Sequence, residues 1–141
     1  MGITIESTNF SADMGYGGFS RFRDKVATIS SKEFGKHYAK LEKTMFLMGT
    51  EREAYFKKYD AKTKELVKNE VVTIEVANFC YQSDCEGSID QEQAKEIYKN
   101  IKDYKDDNCY GYSGREDCAM FSDLVNIFKD CAENGDVVEW S

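Results

Sequence analysis

The chain has 141 residues, of which 41% are hydrophobic and 32% charged, a composition typical of one globular domain spanning 1–141. Nineteen basic and 26 acidic residues give a net charge of −7, which disfavours direct nucleic-acid binding. No apolar run approaches the roughly 18 residues of a membrane helix, and the N-terminus lacks a secretory-signal pattern. We therefore expect a cytoplasmic protein that binds neither membrane nor nucleic acid directly.

The N-terminal segment "ITIE" alternates apolar and polar residues and predicts a short strand. The glycine-rich stretch Gly15–Gly18 then predicts a loop, followed by a helix that Ser20 caps and that ends near residue 30. Backbone amides at a helix start, with Arg21 and Arg23 close by, have the chemistry of an anion site.

Helical spacing of apolar residues predicts a second helix from Ser31 to Gly49, with Met45 and Met48 at the end of its apolar stripe. A T-x-x-E capping pattern predicts a third helix over about 51–68. The β-branched segment 72–76 then predicts a strand.

Two further helices are predicted in the second half of the chain. Asp90 and Gln93 form a capping pattern ahead of "DQEQAKEIYKNIKDY", and an Asn-Gly pair ends a last helix over about 115–133. The C-terminal "DVVEW" predicts an edge strand. The sum is an α+β fold, a helix-dominated single domain with a few short strands.

The loop Gln82–Gln93 carries part of the pattern of an EF-hand calcium site. Asp84, Glu86 and Asp90 fall on ligand positions around the central Gly87. Glutamines occupy the first and twelfth ligand positions, and the preceding segment predicts a strand instead of an entering helix. We therefore predict a strand-to-helix turn in which Gly87 takes a positive φ. The three carboxylates are the metal candidates of this loop.

Catalytic and cofactor motifs are absent from the sequence. His37 is the only histidine and has no nucleophile at a readable spacing, so it is predicted to be a surface or half-buried helix residue. An odd number of cysteines without a signal peptide predicts reduced thiols. No pair has the C-x2-C spacing of most structural zinc sites, although Cys80 with Cys85, and Cys109 with Cys118, could still meet around a metal ion. We expect a non-enzyme without a cofactor.

A second glycine-aromatic loop, "CYGYSGRED", precedes the last predicted helix. Tyrosine anchors protein interfaces at low entropic cost, and acidic side chains favour a basic partner. The candidate partner-binding residues are Tyr16, Tyr110, Tyr112, Asp106, Asp107, Glu116 and Asp117.

The stretches "YGGFSRFR" and "SDCEGSI", with the acidic, aromatic C-terminus, resemble a family of small uncharacterised bacterial and phage proteins. That family carries a Y-x-G-F-x-x-F-R entry helix and an H-S-D-C-D-G-x-I loop, from which Gln82 and Glu86 depart. The resemblance implies a shared small domain and assigns no activity. Phages often carry small acidic proteins, and inhibitors of host defence are common among them.

Charge, the empty motif search and the resemblance together favour a non-enzymatic interaction protein that binds a larger protein with a basic surface. The specific form we expect is a phage-type inhibitor of a nucleic-acid-handling host defence enzyme, such as an anti-CRISPR protein, acting in the host cytoplasm. The alternative is a small-ligand or divalent-ion-binding module that uses the Gln82–Gln93 or the Gly15–Gly18 loop.

Overall fold

The structure, a computed structural model, describes residues 2–112, 116 and 118–141. The α+β class dominated by helices, which the sequence predicts, is confirmed. In chain order the elements are β1 (Gly2–Glu6), β2 (Ser11–Gly15), α1 (Tyr16–Ser30), α2 (Lys32–Ala39), a 3₁₀ helix (Lys40–Phe46), α3 (Gly49–Lys68), α4 (Ile74–Tyr81), β3 (Gly87–Ile89), α5 (Gln91–Ile101), α6 (Phe121–Asn134) and β4 (Val138–Trp140).

The four strands form an antiparallel sheet in the order β2-β1-β4-β3. The predicted strands at the two ends of the chain are confirmed, but β4 lies inside the sheet and not at its edge. The reason is β3, which the sequence does not predict: Gly87 pairs with Trp140, and Ile89 pairs with Val138. The last strand therefore joins the N-terminal hairpin to the middle of the chain.

An aromatic core centred on Phe79 packs the helices against the sheet. The rings of Phe19, Phe22, Phe128 and Trp140 surround Phe79, with centroids between 5.4 and 6.2 Å away. Edge-to-face ring pairs of this kind add about 0.5–1.5 kcal/mol each beyond their burial. Because these rings come from α1, α4, α6 and β4, one core holds both ends of the chain.

The predicted strand at 72–76 is wrong, because this segment leads into helix α4. The Thr73 hydroxyl caps the helix by accepting a hydrogen bond from the Val76 amide at 3.4 Å. A strand would place alternate residues on one face, yet Ile74 is 61% exposed while Val76 is fully buried. Burial of Phe79 on the helical face decides the conformation, so tertiary packing overrides β-branched propensity.

The predicted helix from Ser31 to Gly49 is confirmed only in its first half. Ser31 caps α2, but the α-helix ends after eight residues and continues as the 3₁₀ helix. Met45, Phe46 and Met48 are strongly exposed instead of forming the end of a buried stripe. Because packing supplies most helical stability, a stripe that meets no neighbouring element does not extend the helix.

Local end signals are confirmed at some helices and wrong at others. The capping box of Asp90 and Gln93 opens α5, and Gly135 ends α6 with a φ of 74°. The Thr50–Glu53 box does not form, since α3 starts at Gly49, two residues earlier than predicted, and has no side-chain cap. Helix α6 also begins later than its predicted start.

The glycine-rich segment Gly15–Gly18 is not a loop, so this prediction is wrong. Gly15 ends β2, and the residues after it form the first turn of α1, which places Ser20 inside the helix and not at its cap. Gly18 is required there because a Cβ would lie 1.9 Å from the Tyr110 carbonyl oxygen. This glycine allows two backbone segments to approach each other closely.

Asp130 on α6 fixes the turn between β1 and β2. Its buried carboxylate accepts hydrogen bonds from the Ser7 hydroxyl at 2.7 Å, from the Asn9 backbone and side-chain amides at 2.9 Å, and from the Asn134 side chain at 2.6 Å. These bonds, of which the one from Ser7 contributes most, hold the pKa of Asp130 well below its usual value. The charged carboxylate therefore stabilises the fold at neutral pH.

Asp130→Ala should lower the free energy of unfolding by about 1–3 kcal/mol at neutral pH, because the hydrogen bonds that the charged carboxylate accepts are lost. Since the pKa of Asp130 is depressed in the folded state, its contribution is lost as the pH falls from the ordinary value of 3.8 towards the folded value. The difference between wild type and variant should shrink over the same range. Urea unfolding at neutral and acidic pH measures both effects. Asp103→Ala, at an exposed position, is the control, and an equal loss there would contradict this role for Asp130.

Candidate functional site

The segment Gln82–Asp90 is folded around Trp140. The Trp140 Nε1 donates a hydrogen bond to the Ser83 carbonyl oxygen at 2.9 Å. The Gln82 side chain fixes the other end, because its Oε1 accepts from the Ser88 amide at 3.1 Å and its Nε2 donates to the Ser88 carbonyl at 2.8 Å. One ring and one side-chain amide therefore set the shape of this loop.

Gly87 is needed for close packing and not for an unusual backbone conformation. A Cβ on Gly87 would lie 2.3 Å from Cζ2 of the Trp140 ring. The predicted positive φ is wrong: in the described part of the chain, positive φ occurs only at Glu70, Gly49 and Gly135. The glycine lets the indole ring lie directly against the backbone of β3.

The three predicted metal candidates do not converge. Asp90 caps α5 and accepts a hydrogen bond from the Gln93 amide at 2.9 Å, whereas Asp84 and Glu86 are exposed. Among the residues that the structure describes, no group of three or more His, Cys, Asp or Glu side chains is arranged to hold a metal ion. The predicted strand before the loop is wrong, since α4 leads into it, but an entering helix alone does not make a metal site.

A disulfide between Cys109 and Cys118 closes the second glycine-aromatic loop, so the prediction of reduced thiols is wrong at this pair. Their Cα atoms lie 6.2 Å apart, within the range for a disulfide, because Cys109 forms an antiparallel bridge with Met120. Two amides of the loop also donate to the Ala119 carbonyl, at 2.8 and 3.2 Å. The base of the loop is therefore held by covalent and hydrogen bonds. The free thiols are Cys80, Cys85 and Cys131.

Two of the predicted partner-binding residues are engaged inside the protein. Tyr110 is 3% exposed and packs against Phe22 and Phe121, and its hydroxyl donates to the Asp106 carboxylate. Burial, followed by this hydrogen bond, raises the pKa of Tyr110, and the same bond lowers the pKa of Asp106. Tyr110 therefore does not belong to the exposed surface, and Asp106 serves to hold it.

Tyr16 and Tyr112 lie on one surface with the acidic side of the Gln82–Asp90 loop. Tyr112 is 37% exposed, and Tyr16 is half-buried at the start of α1. The Tyr112 ring lies beside Gly15, the residue before Tyr16, because its Cε1 is 4.0 Å from the position that a Cβ on Gly15 would take. The Cys85 side chain above all, with contributions from Asp84 and Tyr112, raises the pKa of Tyr16. We define the tyrosine–acid face as Tyr16, Asp84, Cys85, Glu86 and Tyr112.

The remaining predicted residues are Asp107, Glu116 and Asp117. Asp107 is exposed, and Asp117 lies outside the described residues. Glu116 borders a separate hollow of about 320 Å³ together with Phe10 and Asp123. The structure therefore joins two of the seven predicted partner-binding residues, the tyrosines at 16 and 112, to the acidic loop.

The two arginines of the predicted anion site at the start of α1 make contacts within the protein. Arg23 is buried, donates to the Gln82 carbonyl at 2.6 Å, and lies over the Phe19 ring at 4.7 Å. Arg21 donates to the Cys109 carbonyl at 3.3 Å. Both guanidinium groups therefore position the two loops and do not point to a ligand.

Charge is divided unequally along the chain, a signal that the sequence analysis missed. Residues 31–68 contain ten basic and six acidic side chains, whereas the rest of the chain contains nine basic and twenty acidic ones. The tyrosine–acid face lies in the acidic part. We therefore expect a basic partner to be attracted to the acidic part of the chain and repelled by the basic helices α2 and α3.

Comparison of the chain with protein-family models, curated proteins and solved structures finds no match. The family resemblance carried by the two sequence stretches therefore remains a prediction. Among the described residues, no helix combines the length and apolar character needed to cross a membrane.

Gly87→Ala should lower the free energy of unfolding by about 1–3 kcal/mol, because the added methyl group overlaps the Trp140 ring. Gly17→Ala is the matched control: a Cβ there has open space, and replacing a helical glycine stabilises by about 0.5–1 kcal/mol. Chemical unfolding of both variants measures the difference. Equal stability of the two variants would show that the indole does not require a glycine.

Proposed function

We propose that the chain is a non-enzymatic, acidic protein-interaction domain that binds a larger protein with a basic surface through the tyrosine–acid face. The observation that carries the proposal is the grouping of two tyrosines with the Asp84 carboxylate, on an exposed loop that also carries Glu86. Tyrosine provides contact area at low entropic cost, and acidic groups steer and select a basic partner.

Pre-organisation of this face supports the proposal. Trp140 and the Gln82 amide fix the acidic loop, while the disulfide and the Ala119 hydrogen bonds fix the base of the loop that carries Tyr112. A surface that is already ordered loses less conformational entropy when it binds. The hydrogen bonds to Ala119 and the burial of Tyr110 also hold the loop in a reducing compartment, where disulfides are rare.

The specific form of the proposal is a phage-type inhibitor of a nucleic-acid-handling host defence enzyme, comparable to an anti-CRISPR protein, acting in the host cytoplasm. A groove that holds a phosphate backbone is basic, and an acidic face with aromatic anchors is complementary to it. Binding at such a groove would exclude the nucleic acid and would require no catalysis.

The alternative of a small-ligand or ion-binding module at Gln82–Gln93 or Gly15–Gly18 has less support. The Gln82 side chain and Asp90 are occupied by hydrogen bonds within the protein. The residues after Gly15 form the first turn of a helix. We therefore favour protein binding.

Inhibition of DNA binding by a panel of purified RNA-guided nuclease complexes tests the proposal directly. At low salt, the chain should displace target DNA from at least one complex, measured by fluorescence anisotropy. The double variant Asp84→Lys and Glu86→Lys should weaken this inhibition at least about tenfold, equal to about 1.4 kcal/mol of binding free energy.

The matched control carries Asp103→Lys and Glu133→Lys, which change the net charge equally at two exposed positions outside the face. When the two double variants are compared at about 0.15 M salt, this control should keep its inhibition within about threefold of wild type, because exposed charges more than about 8 Å from the partner are then largely screened. The proposal is wrong if no complex is inhibited at low salt. An equal loss of inhibition in both double variants would show that net charge alone accounts for the effect. That result would also contradict a role for this face.

A further inference from the structure

A small cleft separates α2 and the 3₁₀ helix from α3, on the basic part of the chain. It has a volume of about 190 Å³. The side chains of His37, Lys40, Tyr55, Lys58, Tyr59 and Lys62 line it. None of them belongs to the tyrosine–acid face.

Helical spacing and two local contacts hold this cleft in place. Tyr55, Lys58, Tyr59 and Lys62 are three or four residues apart on α3 and therefore share one face of the helix. The His37 ring stacks on Tyr59 with centroids 3.9 Å apart, and its Nε2 is 2.7 Å from the Thr63 hydroxyl.

The Tyr55 side chain connects α3 to the 3₁₀ helix, which forms the opposite wall of the cleft. Its hydroxyl donates to the Lys40 carbonyl at 3.2 Å, which fixes the backbone of the 3₁₀ helix beside the cleft. Contacts within the protein therefore hold both walls.

The charges at this cleft are all of one sign. Lys58 and Lys62 form a like-charged pair four residues apart, an arrangement that destabilises a helix, and Lys40 adds a third ammonium group from the other side. Lys62 has Glu65 and Glu33 at 3.5 and 4.0 Å, outside the cleft lining.

The other two lysines are not neutralised by ion pairs. Neither Lys40 nor Lys58 forms an ion pair within 4.0 Å among the residues that the structure describes. An anion in the cleft would offset the charges of Lys40 and Lys58.

We propose that this lysine cleft binds a phosphate group, either as inorganic phosphate or as the phosphate end of a small phosphomonoester. Lysine binds phosphate as a point charge, and Lys40 and Lys58, the two cleft lysines that no ion pair engages among the described residues, together balance a dianion. A water molecule occupies about 30 Å³, so a cavity of about 190 Å³ has room for about six water molecules. A phosphate group, with five heavy atoms, nearly fills such a volume. The organic part of a phosphomonoester would extend through the open side.

His37 reports on this cleft independently. It is buried, and burial first, then the charges of Lys40 and Lys62, lower its pKa. A bound dianion would cancel the charge of these lysines at the histidine and would raise that pKa. As His37 is the only histidine of the chain, its ring signals are unambiguous in NMR spectra.

The experiment is an NMR titration of the His37 ring at constant ionic strength. Inorganic phosphate and a nucleoside 5′-monophosphate should each shift the ring signals with saturation and raise the pKa of His37. Sodium chloride and the unphosphorylated nucleoside should do neither. Tighter binding of the nucleotide than of phosphate would identify a phosphomonoester as the ligand, and equal binding would identify phosphate alone.

Two variants with the same charge change separate a site from general attraction. Lys58→Gln should raise the phosphate Kd obtained from the saturable shift at least about tenfold. Lys99→Gln, on the exposed surface of α5, should leave it unchanged. The absence of a saturable shift in the wild-type chain, or an equal weakening in both variants, would overturn the proposal. A result of either kind leaves the tyrosine–acid face untouched, so failure here is distinct from failure of the proposed function.

Discussion

The burial of Trp140 is the contact on which both the sheet and the candidate site depend. The indole is 1% exposed and packs against Phe19 and Phe79 with centroids 5.4 and 5.6 Å away. Its backbone pairs with β1 on one side and with β3 on the other. Its Nε1 donates to the Ser83 carbonyl. One residue near the C-terminus therefore organises the N-terminal hairpin, the aromatic core and the central loop.

The tyrosine–acid face follows from this arrangement. Its members come from the start of α1, from the loop after α4 and from the disulfide-closed loop before α6. None of these segments is close to the others in sequence. They meet because the Trp140 indole on β4 holds the acidic loop by its hydrogen bond to the Ser83 carbonyl, and because Gly18 lets the Tyr110 backbone approach α1. The chemistry of the face is carried by exposed side chains, while buried contacts determine its shape.

The parts of the fold that could be predicted from the sequence are those with local signals. The capping box at Asp90 and the glycine end of α6 are formed by residues within a few positions of each other. Strand β3 has only three residues and exists because it pairs with β4, so no local pattern could indicate it. Helix α4 resembles a strand by propensity, and only the burial of Phe79 among four other rings explains its helical form.

The candidate site was predictable only in part, for the same reason. Glycine, tyrosine and acidic residues marked the two loops that the structure brings to one surface, but the sequence could not distinguish the inward Tyr110 from the exposed Tyr112. The division of charge was present in the sequence and was hidden by the total of −7. It separates two chemistries in one small protein, an acidic face suited to a basic partner and a lysine cleft suited to a phosphate.

The central claim is that the Trp140 side chain holds the loop that displays the acidic residues. Native-state hydrogen exchange of Trp140→Phe tests it most directly, because phenylalanine retains an aromatic ring but has no donor for the Ser83 carbonyl. We expect the Ser88 amide and its neighbours in the loop to exchange at least about tenfold faster, while amides within α6 remain protected. Unchanged protection of the loop, or an equal loss of protection in the loop and in α6, would contradict this account.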